Sequence, residues 1–144
     1  MQIKPIGIIH TPFKRKEDTP IQPYKSKAVG RVVLFKKYQD GLDNIDGFSY
    51  LILLYKFHKS RGYHLKVKPF LDEKLRGVFA TRSPRRPNQI GLTIVNLIER
   101  KNNVLIVKGV DILDGTPLLD IKPYVPDFDP KEKLKLGWLE GKIK

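Results

Sequence analysis

The chain has no cysteine, and only one methionine and one tryptophan among its 144 residues. Without cysteine there are no disulfides, no thiolate nucleophile and no thiolate-bound metal centre. The three histidines, His10, His58 and His64, are scattered beyond ordinary zinc-ligand spacing, so no metal site is expected. No segment approaches the roughly 18 consecutive apolar residues of a membrane span. The opening MQIKPIGIIHTPF has no signal-peptide cleavage pattern. A soluble, cytoplasmic protein is expected. There is no GxGxxG between a strand and a helix, no phosphate-binding P-loop and no GxSxG. Standard dinucleotide, nucleotide-hydrolase and serine-hydrolase readings therefore lack support.

Acidic residues are also scarce. Lys and Arg number 28 against 15 Asp and Glu, a net charge of +13. Such a balance predicts an anionic partner, nucleic acid first. The plainer alternative is a lysine-rich surface suited to heat tolerance. The arginines favour the first reading because they cluster while the lysines are spread. Gly77 to Gly91 reads GVFATRSPRRPNQIG, with Arg82, Arg85 and Arg86 stiffened by Pro84 and Pro87. Proline fixes its own φ and restricts the residue before it, so this loop has few shapes available. Rigidly held guanidinium groups, with Asn88 beside them, suit a phosphate, a carboxylate or a base edge. An ordinary solvated hairpin loop is the alternative.

The length suits one domain over residues 1–144 with a real core. Strands are expected from Ile3 to Ile9, Ala28 to Phe35, Gly77 to Thr81, Gly91 to Ile98, Val104 to Val110 and Leu118 to Tyr124. Phe48 to Phe57 reads as a buried strand, and His64 to Phe70 alternates as a half-exposed one. Asn102-Asn103 and Asp114-Gly115 are turn signals, Tyr38 to Ile45 is a short helix or turn, and the lysine-rich tail after Pro126 has room for a short helix. Many short strands with little helical periodicity argue for an all-β barrel or sandwich, its edges covered by closure or by a second subunit.

A second constellation is DILDGTPLLDIKPYVP, from Asp111 to Pro126. Asp111 and Asp114 precede the turn at Gly115-Thr116, and Asp120 follows on the returning strand. These carboxylates suit ribose hydroxyls or a protonated amine, and backbone N–H groups around Gly115 can approach a ligand closely. Equally, Asp-Gly is a common turn, and Asp120 can simply pair with a lysine or arginine. His58, ending the apolar run, either lines a pocket or caps it.

GVFATRSPRRPNQIGLT and DILDGTPLLDIKPYVP together resemble the TrmO (TsaA-like, YaeB-like) family. The likeness continues in IGIIHTPF and DGFSYLILLYKFHK and covers nearly the whole chain. It implies a β-barrel of the TsaA-like type instead of a Rossmann fold. It also implies an S-adenosyl-L-methionine-dependent tRNA methyltransferase acting on the exocyclic amine of N6-threonylcarbamoyladenosine beside the anticodon. The family's cofactor site is shared across a homodimer. Carried onto this sequence, cofactor contacts fall on Pro20, Ile21, Gln22, His58, Lys59, Arg82, Leu92, Asp111, Asp114, Gly115 and Thr116. Ile21 stands where the family segment has arginine, and Gln89 where it usually has proline. Many bacterial relatives carry an extra C-terminal domain. This sequence stops soon after Pro126, so tRNA docking is expected from the barrel, the dimer or another factor.

For the reaction the resemblance implies, Asp111 and Asp120 are the candidate proton acceptors. Arg82 is assigned to the cofactor pocket. Arg85, Arg86, Asn88, Lys122 and Tyr124 are assigned to the RNA. Two other classes remain open. One is a non-catalytic RNA-binding barrel that stacks bases on aromatics such as Phe79 and Tyr124. The other is a methyltransferase for a different RNA or a small molecule.

Overall fold

The computed structural model describes residues 1–20 and 26–143. Its framework is a closed six-stranded antiparallel barrel built from β1 (Gly7–His10), β2 (Val29–Leu34), β3 (Tyr50–Lys56), β6 (Ile90–Lys101), β7 (Val104–Lys108) and β8 (Thr116–Pro123). Around the barrel the order is β1-β2-β7-β6-β3-β8. Closure removes the open edges that such short strands would otherwise present. The helical segments described are short 3-10 stretches, the longest Lys36–Leu42, so the barrel expectation is met.

Alternation along each strand sets the core. Ile9, Val32, Leu51, Leu53, Val95, Leu105, Val107 and Leu118 point inward and are fully buried. The 48–57 run is therefore one-sided and not buried throughout: Leu51, Leu53 and Tyr55 face in, while Tyr50 is exposed. β6 is long because its first half pairs with β3 and its second with β7, and a bulge between Leu97 and Glu99 bends it from one neighbour to the other. The β6–β7 turn uses Asn102 at φ 55°, a left-handed conformation that asparagine tolerates. Asn103 then donates its side-chain amide to the Leu34 carbonyl at 2.7 Å and ties β2 to that turn.

Two expected strands are redrawn. His64 to Phe70 contributes only β4 (Lys66–Val67), paired with β5 (Arg76–Gly77) in a two-stranded sheet outside the barrel. Residues 78–80 form a 3-10 turn, because the Thr81 hydroxyl and amide both return to the Val78 carbonyl. Ile3 is exposed and lies outside β1.

The tail folds back onto this outer sheet. Trp138 donates its indole N–H to the Ala80 carbonyl at 2.8 Å and faces Arg76 and Lys142. Lys142 reaches Asp72 at 2.9 Å, and Asp72 also binds Arg76. Lys142 first, then Arg76, hold the Asp72 carboxyl well below its ordinary range. Because the folded value lies below the unfolded one, this contact is intact above the ordinary carboxylate range and fails as pH falls beneath it. Trp138 is the sole tryptophan. Its fluorescence should therefore change on acidification, and Asp72→Asn should produce the same change at neutral pH. An Asp72→Asn spectrum identical to wild type at every pH would contradict this clamp.

Candidate functional site

One mouth of the barrel gathers most of the chemistry. It is formed by the ends of β1 and β3, the start of β6, and the segments that follow β7 and precede β8. Inside it, the Tyr55 hydroxyl lies 2.8 Å from Thr93 Oγ1, and Thr93 Oγ1 lies 2.7 Å from Asp111 Oδ1. With Asp111 ionised, Thr93 donates its one proton to the carboxylate and accepts the proton of Tyr55. Burial pushes Asp111 above the ordinary carboxylate range, against the opposing pull of the Thr93 hydrogen bond and the Arg82 charge. Burial and the Asp111 charge likewise push Tyr55 far up, so it stays a neutral donor. Arg82 is exposed at the rim, and its charge reaches both groups.

Gly91 makes this arrangement possible. It pairs with Tyr55 across β3 and β6, and a Cβ built on it would overlap the Tyr55 ring and approach Phe57 Cζ within 2.8 Å. Tyr55 and Phe57 pack edge-to-face at 5.5 Å over that gap. Gly91→Ala must therefore displace Tyr55 from the core. A stability loss of about 1–3 kcal/mol is expected from overpacking, read as a lowered melting temperature. An unchanged melting temperature would contradict the packing described.

At the same mouth, Thr116 is buried and donates to the Leu113 carbonyl at 2.6 Å, with His58 Nδ1 at 3.4 Å. Burial first, then the neighbouring Lys59 charge, lower His58 and favour its neutral form. Asp114 is spent differently from what its sequence position suggested. It accepts the Thr11 amide at 2.9 Å and the Lys14 ammonium at 2.8 Å, with His10 at 3.3 Å, and so braces the exit of β1. The backbone amides of Asp114 and Gly115 are also occupied, donating to Phe13 and Ile9. They are not free to hold a ligand. Gly115 itself sits at φ 82°, where glycine avoids strain.

The three arginines of the loop have separate surroundings. Arg86 Nη1 donates to the Thr81 and Ser83 carbonyls at 2.9 and 3.1 Å, so it staples the loop from within. Arg85 faces outward beside His64. Asn88 is exposed at the loop tip. Gln89 adopts φ 50°, which proline cannot, and its amide donates to the Gly62 carbonyl at 2.8 Å. The loop is thereby tied to the segment after β3.

The other sequence candidates divide. Lys59 is exposed near the mouth, Pro20 is half-buried, and Ile21 and Gln22 lie outside the described residues. Leu92 points outward on β6 and is 39% exposed. Asp120, Lys122 and Tyr124 belong to the opposite end of the barrel. Asp120 lines a cavity of about 380 Å³ with Leu34, Leu42 and Phe48, and pairs with Lys122 at 3.2 Å. Tyr124 packs edge-on against Tyr50. Asp111 and Asp120 therefore do not form a catalytic pair within one chain. Tyr55, Thr93 and Gly91 escaped the sequence reading. Their available signal was a strand glycine, Gly91, beside a threonine in a strand flanking the arginine loop.

The family model for the tRNA-methyltransferase O N-terminal domain matches residues 8–130. The chain belongs to the TrmO family. A probable S-adenosyl-L-methionine-binding protein of Pyrococcus abyssi is 52% identical over 97% of this chain and 77% of its own length. The human tRNA (adenine(37)-N6)-methyltransferase is 36% identical over 91% of this chain, which spans 32% of that enzyme. A crystal structure of TrmO from Pseudomonas aeruginosa superposes with a TM-score of 0.83 at 34% identity, covering all of this chain and 65% of the bacterial one. The chain thus spans under two thirds of that solved structure and about a third of the mammalian enzyme.

Proposed function

We propose that this TrmO-family barrel is an S-adenosyl-L-methionine-dependent tRNA methyltransferase acting at the exocyclic N6 of adenine. The observation that carries the reading is the Tyr55–Thr93–Asp111 chain beside Arg82, inside a mouth that also holds His58 and Thr116. This donor set suits the cofactor: cations for its carboxylate, a carboxylate and a neutral imidazole for its amine or ribose hydroxyls, and aromatic surface for its apolar parts.

When bound, S-adenosyl-L-methionine supplies a methyl group on a sulfonium whose departure needs no acid. The adenine amine is a weak nucleophile, so Arg82 and the mouth contribute chiefly by fixing in-line geometry with water excluded. Transfer of that methyl group from sulfur to N6 would leave the neutral thioether and release one proton from N6. Asp111 is the acceptor for that proton, since a carboxylate raised by burial is a stronger base than an exposed one. It serves at the amine and not at the sulfur, where a negative charge would stabilise the charged ground state more than the transition state. The substrate adenosine is taken to be the N6-threonylcarbamoyl derivative beside the anticodon, whose carboxylate suits the basic loop.

The working unit is proposed to be a homodimer in the cytoplasm. The outward face of β3 and β6 presents Tyr50, Leu92, Ile94 and Ile98 to solvent, an apolar stripe on an otherwise basic protein. Leu92 lies on that face and not in its own mouth, so a site using Leu92 together with Arg82 takes them from two copies. Ile94→Glu should give a monomer by light scattering, with cofactor affinity lowered at least about tenfold by loss of the partner's contacts. A wild-type monomer with full cofactor affinity would contradict the shared site. Calorimetric titration with S-adenosyl-L-methionine tests the function more directly. Saturable heat supports the methyltransferase, whereas no heat, with RNA binding retained, favours a non-catalytic RNA-binding barrel.

A further inference from the structure

Outside the mouth, on the far side of the arginine loop, an open cleft of about 490 Å³ lies between that loop and β4. Its walls carry Lys66, Lys68, His64 and Arg85, with Leu75 and Pro84 as apolar lining. The walls are held by hydrogen bonds between the two segments. The His64 amide donates to the Arg85 carbonyl, the Ser60 hydroxyl to the Pro84 carbonyl at 3.3 Å, and Gln89 to Gly62. β4 is fixed in turn by the Val78 amide on the Leu65 carbonyl. The cleft is therefore a braced surface and not an arbitrary run of exposed lysines.

Its charge is weakly compensated. Among the described residues Lys68 meets only Glu73, at 3.4 Å, and Glu73 is almost fully exposed. Among the described residues no carboxylate comes within ion-pair distance of Lys66 or Arg85. Two exposed rings adjoin the cleft's walls along the chain: Tyr63, 56% exposed, precedes His64, and Phe79, 74% exposed, follows Val78, whose amide holds Leu65 at the start of β4. Phe79 sits on the 3-10 turn that leads directly into Arg82. Cations for a phosphate backbone, interleaved with exposed rings for base stacking, characterise a surface for single-stranded nucleic acid.

The geometry points to this cleft as the docking surface for the single-stranded RNA that flanks the target adenosine. The backbone lies along Lys66, Lys68 and Arg85, and neighbouring bases stack on Tyr63 and Phe79. The inference rests on the tRNA reading above and extends it. The arginine loop becomes a ridge with the reacting nucleotide on its Arg82 side and the flanking phosphates on its Arg85 side. Charge complementarity selects the occupant, because the chain carries +13 overall and the cleft gathers Lys66, Lys68 and Arg85 with a single carboxylate partner among the described residues.

Two variants separate the contributions, with binding to an anticodon stem-loop RNA followed by fluorescence anisotropy across a salt series. Lys66→Glu combined with Lys68→Glu should weaken binding at least about tenfold and make the salt dependence shallower by about two phosphate contacts. Tyr63→Ala combined with Phe79→Ala should weaken binding about tenfold or more while leaving the salt slope unchanged. In both, calorimetric affinity for S-adenosyl-L-methionine and the melting temperature should match wild type, showing that fold and mouth are intact. Wild-type RNA affinity in the lysine variant would overturn the docking surface, and wild-type affinity in the aromatic variant would overturn the stacking role. Failure of the unmodified protein to bind the RNA at all would instead remove the tRNA reading itself.

Discussion

Arg82→Ala should slow methyl transfer about a hundredfold to a thousandfold while leaving the barrel folded. The residue is exposed at the rim, and no carboxylate pairs with it among the described residues, so its removal opens no cavity and breaks no ion pair. What it removes is the positive charge that reaches Asp111 and Tyr55 and a fixed donor at the entrance to the mouth. Losing one preorganised donor typically costs about a hundredfold to a thousandfold in rate. The expected signature is a rate loss of that order with an unchanged melting temperature. Near-normal turnover would take Arg82 out of the site. The adjacent Arg86 gives an internal contrast, because its guanidinium braces the loop. Arg86→Ala should lower activity only together with loop order, since the Thr81 and Ser83 carbonyls lose their shared donor.

Asp111→Asn should cost about a hundredfold to ten-thousandfold if the carboxylate accepts the N6 proton, the range for a positioned general base. The pH dependence separates this from mere disturbance. Folded Asp111 titrates above its ordinary value because burial disfavours its charge. Wild-type activity should therefore be low where Asp111 is protonated and rise through that elevated pKa. The asparagine variant should lose this acid limb. The stability consequence runs the other way. A carboxyl whose folded pKa is raised is best tolerated when protonated, and its contribution worsens as pH rises through the folded value. Asp111→Asn should thus leave stability at neutral pH equal or slightly higher, provided the amide still accepts from Thr93. A slow variant with an unshifted acid limb would assign that limb to another group.

Much of the barrel was legible because its strands obey the period of two. Ala28 to Phe35 and Val104 to Val110 are β-branched runs bounded by turn residues, and they appear within a residue or two of their expected limits. The Gly77 to Thr81 strand failed because a threonine hydroxyl diverted the chain into a tight turn, a local contact that apolar patterning does not register. At the site, the Arg82 charge reaches Asp111 and Tyr55, whereas Arg85 lines the outer cleft beside His64. Arg86 and Asp114 could not be sorted in advance, because their partners are the backbone of their own loop and the segment that follows β1, 103 residues away at Thr11. Asp120, Lys122 and Tyr124 looked contiguous with Asp111 in sequence. β8 carries them the length of the barrel to its other end. The Tyr55–Thr93–Asp111 chain joins three elements distant in sequence, so no local motif announces it.

The most direct test of the central claim is transfer of a labelled methyl group from S-adenosyl-L-methionine to total tRNA, followed by digestion and nucleoside analysis. The account predicts label in one nucleoside, an adenosine carrying the new methyl on N6, and its initial rate of labelling cut about a hundredfold or more with Arg82→Ala. Label in any other nucleoside, or none with a protein that demonstrably binds both the cofactor and tRNA, would contradict it.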